Sequence, residues 1–84
     1  MVLPLSHLSP GDQGRIVWIA SELHRRERLC DLGFLPGETL TCVLQDAHQH
    51  LKAYRVGGSL IALRQETANE IFAEILRPPS HTSP

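Results

Sequence analysis

The sequence predicts a mainly β domain, a small five-stranded barrel with one α-helix inserted after the first strand. Three observations carry this. Short β-branched or alternating segments recur along the 84 residues, each bounded by glycine, proline or polar turns. A single helix-forming run, Glu22 to Leu32, interrupts them. The strands are also too short and too many for a chain this small to leave both sheet edges open, which favours curling until the last strand returns beside the first. An open α+β sheet is the alternative architecture.

The elements follow in order. "LPLSHLSPGDQG" is broken by Pro10-Gly11 and Gly14, and Leu5 and Leu8 are spaced as one helical turn spaces them, so the opening segment is an anchoring turn. "RIVWIA", residues 15–20, is β-branched and aromatic with apolar residues on both faces, the pattern of a buried strand. Ser21 is a candidate helix cap, and helix formers run from Glu22 to Leu32. Arg25, Arg26 and Arg28 are placed toward the helix C-terminus, where cations complement the macrodipole; a surface for an acidic partner is the other use they could serve. In "RLCDLGFLPG", Gly33 falls just past the helix end, where a left-handed residue is needed, and Phe34 falls where such a turn sets an apolar residue against Leu29. Pro36-Gly37 then fits the centre of a type II turn. The helix is stopped and the chain handed straight to "ETLTCVLQ", whose alternation puts Leu40, Cys42 and Leu44 on one face. "DAHQH" is a polar loop. "LKAYRV" and "SLIALR" flank Gly57-Gly58, a two-residue hairpin signal. "QETANEI" supplies a helical turn before the last strand, "IFAEIL". Residues 1–77 form one domain, and 78–84, "PPSHTSP" with its prolines, form a flexible tail. Leu29, Leu32, Leu40, Ile61 and Leu63 are assigned to the core.

Composition bounds the function. Hydrophobic residues make up 42% of the chain and charged residues 20%, an ordinary globular balance, and the net charge of -1 offers nothing to nucleic acid. No run is long enough to cross a bilayer, and the N-terminus lacks a secretory pattern, so the expected location is cytoplasmic without membrane insertion. The two cysteines, Cys30 and Cys42, form no zinc pattern, and of the five histidines the closest pair is His48 and His50, without a third ligand at metal spacing. No metal or cofactor is therefore expected. GxxxxGK[ST] is missing, Gly57-Gly58 has no following lysine, and no nucleophile elbow accompanies Ser6-His7 or Ser80-His81; no catalytic site is expected. Trp18, Phe34, Leu35 and Tyr54 are large enough either to fill the core or to anchor an interface.

"LSPGDQGRIVWI", "RLCDLGFLPGETL" and "YRVGGSLIALRQETANEI" together resemble the FeoA family, small accessory proteins of bacterial ferrous iron uptake. The resemblance spans roughly residues 5 to 76. It rests on the order and spacing of Arg28-Leu29, Leu32-Gly33, Leu35-Pro36-Gly37, Ile61-Ala62-Leu63-Arg64, Ala68 and Ile71. It implies an SH3-like barrel and a non-enzymatic role through contact with the FeoB ferrous iron transporter, with its GTP-binding domain, at the inner face of the cytoplasmic membrane. The alternative is a stand-alone metal-binding or regulatory domain like the C-terminal SH3-like domain of iron-dependent repressors. Arg25, Arg26, Phe34, Leu35, Trp18 and Tyr54 are the candidate partner-binding residues. Gly33, Pro36, Gly37, Gly57 and Gly58 are structural turn residues. The segment Asp46 to Leu51 departs from the family, which often has a glycine and a proline there.

Overall fold

A computed structural model describes residues 1–48 and 50–76; the expected tail, 78–84, lies outside the described residues. One antiparallel sheet contains six strands rather than the expected five. They are β1 (Val2–Pro4), β2 (Gln13–Ile19), β3 (Thr39–Gln45), β4 (Leu51–Val56), β5 (Ser59–Arg64) and β6 (Ile71–Leu76). A 3-10 turn at Leu5–His7 follows β1, helix α1 (Leu23–Leu32) joins β2 to β3, and helix α2 (Gln65–Ala68) joins β5 to β6. The order across the sheet is β1-β6-β2-β3-β4-β5, so the last strand does return beside β2, but the ladder is not closed: β1 and β5 are its two edges. The sixth strand went unpredicted because Val2-Leu3-Pro4 is three residues long and ends in proline, too short to show a period and only tolerable at an edge.

Two irregularities in the ladder decide which side chains face out. In β2, Ile16 lies opposite Ala73 and Trp18 opposite Phe72, so Val17 is an extra residue. This bulge breaks the alternation: Gly14, Ile16 and Ile19 are buried, whereas Val17 and Trp18 are both exposed. A second shift, between Cys42 and Leu44 in β3, leaves Leu40 and Cys42 inside and turns Leu44 out, correcting the expected row of three. The β4–β5 hairpin, by contrast, is regular from Leu51↔Arg64 to Val56↔Ser59. Gly57 and Gly58 both have positive φ, 57° and 83°, the paired left-handed conformation that a tight hairpin matched to strand twist requires. Gly14 is needed for another reason: a Cβ there would stand 3.1 Å from the Cβ of Ala73 and 3.3 Å from the Glu74 carbonyl oxygen.

The core lies inside the curl of the sheet. Leu5 and Leu8 reach it from the two ends of the N-terminal turn. That turn is gripped from β4, where residues two apart point to the same face: the Tyr54 hydroxyl donates to the Leu5 carbonyl at 3.0 Å, and the Lys52 ammonium donates to the carbonyls of Ser6 and Leu8, each at 2.6 Å. Of the expected core residues, Leu29, Leu40 and Leu63 are buried and Ile61 is half-buried against them. Leu32 is not; it is 45% exposed. Phe34, turned back at Gly33 so that its N–H reaches the Leu29 carbonyl, is fully buried instead. Phe34 and Tyr54 are themselves fully buried, so their role is packing, not the partner contact considered for them.

A candidate docking surface on the helix and its turn

Helix α1 begins with a cap, but the cap is not Ser21. Glu22 holds that position, its Oε1 accepting from the Arg25 backbone N–H at 2.8 Å, which satisfies one of the donors a helix leaves free at its start. Ser21 is buried and donates instead to Glu70 Oε1 at 2.6 Å, the oxygen that also takes a 3.0 Å hydrogen bond from Arg25 Nη1. Glu70, just before β6, therefore ties down the helix start. Ser21 first and Arg25 second hold its carboxyl below the ordinary value. Arg25 is thus a committed ion-pair partner. The dipole account of the arginines is also corrected, because Arg25, Arg26 and Arg28 occupy the first and middle turns and the last turn contains no basic residue. Arg26 and Arg28 are exposed and make no ion pair among the described residues.

The helix ends as its residues dictate. Gly33 adopts φ 112°, its N–H bonds the Cys30 carbonyl at 3.0 Å, and the Phe34 N–H reaches the Leu29 carbonyl at 2.9 Å, the double closure of a left-handed C-terminal cap. Pro36 and Gly37, the latter at φ 94°, form the expected turn, closed by Glu38 N–H to the Leu35 carbonyl at 2.9 Å. The turn is pinned to the bulged strand by Gly37 N–H to the Ile16 carbonyl at 2.7 Å and by Ile16 N–H to the Glu38 carbonyl at 2.9 Å.

The result is a helix that fully buries just Leu29 and leaves Leu23 and Leu32 in solvent, followed by a turn that exposes Leu35. Trp18, 58% exposed, stacks on Phe72 with ring centroids 5.2 Å apart and lies one residue beyond Val17 and two beyond the Ile16 anchor of that turn. Phe72 in turn lies opposite Pro4 of β1. Of the six candidates, then, Arg26, Leu35 and Trp18 are free on the surface, Arg25 is ion-paired at the helix start, and Phe34 and Tyr54 are inside. Sequence reasoning missed Leu23, Leu32 and Phe72. Leu23 carried a readable signal, since Arg26 and Glu27, three and four residues on, deny it an apolar stripe. Glu70 carried none, its partner lying 45 residues away.

Other chemistry in the molecule is muted. Burial pushes the Cys42 thiol up, away from a reactive thiolate. The His48 and His50 rings stack at 5.9 Å beside Asp46, whose Oδ1 accepts from the His50 backbone at 2.8 Å. Among the described residues no group of three or more potential ligands is placed to hold a metal ion, and no helix is long and apolar enough to cross a membrane.

A curled antiparallel sheet over one core, with a capped helix and an exposed turn on its flank, defines a small SH3-like domain whose distinctive features are on its surface. The chain belongs to the FeoA family, whose FeoA domain matches residues 3–75. It is 32% identical over 80 residues to the Fe(2+) transport protein A/Fe(2+) transporter FeoB fusion protein of Porphyromonas gingivalis, a match covering 95% of this chain and 10% of that protein. The chain thus spans about a tenth of the curated relative. A crystal structure of an iron uptake regulatory protein, FeoA, superposes with a TM-score of 0.81 at 30% identity, covering 90% of this chain and 99% of that one. The solution structure of the FeoA protein from Chlorobium tepidum gives 0.84 at 28% identity, covering 98% and 79%. A manganese-dependent transcriptional repressor shares the fold alone, at 16% identity and a TM-score of 0.78 over 89% of this chain and 42% of the repressor.

Proposed function

We propose that this protein is a non-enzymatic cytoplasmic accessory of ferrous iron uptake that acts by binding a FeoB-type transporter at the inner face of the membrane. The observation that carries this reading is the Porphyromonas gingivalis relative, in which the matching stretch and a FeoB transporter share one polypeptide. Tethering of that kind raises the effective concentration of two surfaces that meet. An accessory without chemistry of its own acts through unequal affinity for the states of its partner, because equal binding to both shifts neither. The surface assigned to this contact is the exposed side of α1 and the turn after it, where Leu32 and Leu35 supply apolar area and Arg26 and Arg28 supply cations that make no ion pair among the described residues. An apolar centre rimmed by charge is the common anatomy of such contacts.

The test is the pair Arg26→Glu and Leu35→Ser. Both side chains are exposed, so the melting curve of the domain stays within about 0.5 kcal/mol of wild type. Association with the transporter weakens about tenfold or more, the scale of losing one anchor, and ferrous iron uptake slows with it. Full uptake and unaltered co-purification would remove this face from consideration and turn attention to Trp18 and Phe72.

A further inference from the structure

The two edges of the sheet are treated very differently. β1 is three residues long and ends at Pro4, which blunts it against further pairing. β5 is six residues, Ser59–Arg64, with no proline, no lysine and, unlike β2 and β3, no bulge against its neighbour. Because Val56 and Ser59 flank a two-residue turn, they form a hydrogen-bonded pair, as do Tyr54 with Ile61 and Lys52 with Leu63. The N–H and C=O groups of Leu60, Ala62 and Arg64 therefore point away from β4. Among the described residues Leu60 and Ala62 have no backbone partner outside the hairpin, and Arg64 keeps its N–H free while its C=O, at the N-cap of α2, accepts the first helical bond. The side chains of these three residues are exposed as well, Leu60 at 52%.

We propose that β5 pairs antiparallel with β5 of a second copy of this chain, about a two-fold axis at Ala62. In that register Ala62 meets its counterpart and exchanges both backbone bonds with it, while Leu60 lies opposite Arg64 of the second copy and its C=O accepts from that Arg64 N–H; the Arg64 C=O stays with α2. The apolar stem of Arg64 covers exposed Leu60. The two guanidinium groups sit at opposite ends of the pairing, about 14 Å apart by strand rise and beyond a physiological Debye length. No like charges are opposed. Ile61, half-buried in one chain, gains Leu63 of the second copy as a cross-strand neighbour. This self-matching pattern is what favours a second copy over an unrelated strand. β3 and β4 separate this edge from β2 in the sheet.

The experiment combines sedimentation equilibrium with amide exchange by NMR on the purified chain, from about 10 µM to about 1 mM, the range suited to a small interface. Dimerisation is expected, with the amides of Leu60, Ala62 and Arg64 gaining protection as concentration rises while those of Ser59, Ile61 and Leu63 are protected throughout. Ala62→Lys sets two ammonium groups against each other at the axis and weakens association at least about tenfold without shifting the melting temperature of the dilute monomer; Leu60→Lys is the second variant. A wild-type chain that stays monomeric across the range, or a dimer that tolerates both lysines with its edge amides unprotected, overturns the proposal.

Discussion

Replacing Gly33 by alanine isolates the backbone device that ends α1. Gly33 has φ 112° and ψ -1°, outside the comfortable range of any residue with a Cβ. A built Cβ would meet nothing closer than Val56 Cγ1 at 3.8 Å, an ordinary contact. The cost is therefore conformational and not steric: about 1–2 kcal/mol for a left-handed residue, less the ~0.4–1 kcal/mol returned by stiffening the unfolded chain. The net loss is about 1 kcal/mol. With a urea m-value of about 1 kcal/mol/M, expected for so small a domain, the midpoint falls by about 1 M, and the melting temperature drops by about 4–8 °C. Gly11→Ala is the comparison, because Gly11 has φ 98° with no atom within 4 Å of the new Cβ and lies outside the helix. It measures the backbone penalty by itself. Gly33→Asn recovers part of the loss, since asparagine tolerates the left-handed region best after glycine. A midpoint for Gly33→Ala at or above wild type would refute the reasoning, for it would mean that the helix does not depend on a left-handed stop.

Gly14→Ala acts by the opposite mechanism, forcing a methyl to 3.1 Å from Ala73 where β2 meets β6; a loss of about 1–3 kcal/mol in urea titration is expected, and a neutral result would show that the strands can separate. Tyr54→Phe removes the hydroxyl that reaches the Leu5 carbonyl, which keeps its 3.0 Å bond from Leu8 N–H, so a loss of about 1 kcal/mol is expected at neutral pH. Burial also raises the Tyr54 phenol above its ordinary 10.0, so its contribution is complete below that pH and fades as pH climbs above it. Thermal melts of Tyr54→Phe should accordingly lose less stability between neutral pH and about pH 11 than wild type. Glu70 has the reverse sign: its carboxyl is held below 4.5, so its contribution is present above that pH and is lost as acid protonates it. Glu70→Gln should flatten the acid side of the stability profile; an unchanged profile would mean that Ser21 and Arg25 do not favour the ionised form.

How far the sequence carried the reading depended on the range of the signal. Gly33, Pro36-Gly37 and Gly57-Gly58 announce their turns because one residue's φ is a local property, and all of these glycines have the positive φ expected of them. The hairpins and the helix followed. Bulges were not legible: nothing in "RIVWI" or "LTCVL" marks Val17 or the step from Cys42 to Leu44 as an extra residue, yet each moves large side chains to the outside. Size did not sort core from surface either, since Trp18 is out while Tyr54 and Phe34 are in. Among the candidates for partner contact, charge was misjudged at Arg25, whose Glu70 partner is brought near only by the completed fold.

The grip of Lys52 and Tyr54 on the N-terminal turn has a kinetic consequence. These bonds span 44 to 49 residues of chain, whereas the β4–β5 hairpin closes over a two-residue turn. Short loops close first and long ones bear most of the entropic cost. By that cost the N-terminal turn locks after the hairpin, a latch alongside the long-range ladders β1–β6 and β2–β6. Loosening it with Lys52→Met would appear in a chevron plot as faster unfolding with the folding arm nearly unmoved. That result would place control of the folded domain's lifetime, more than of its speed of formation, at its N-terminus.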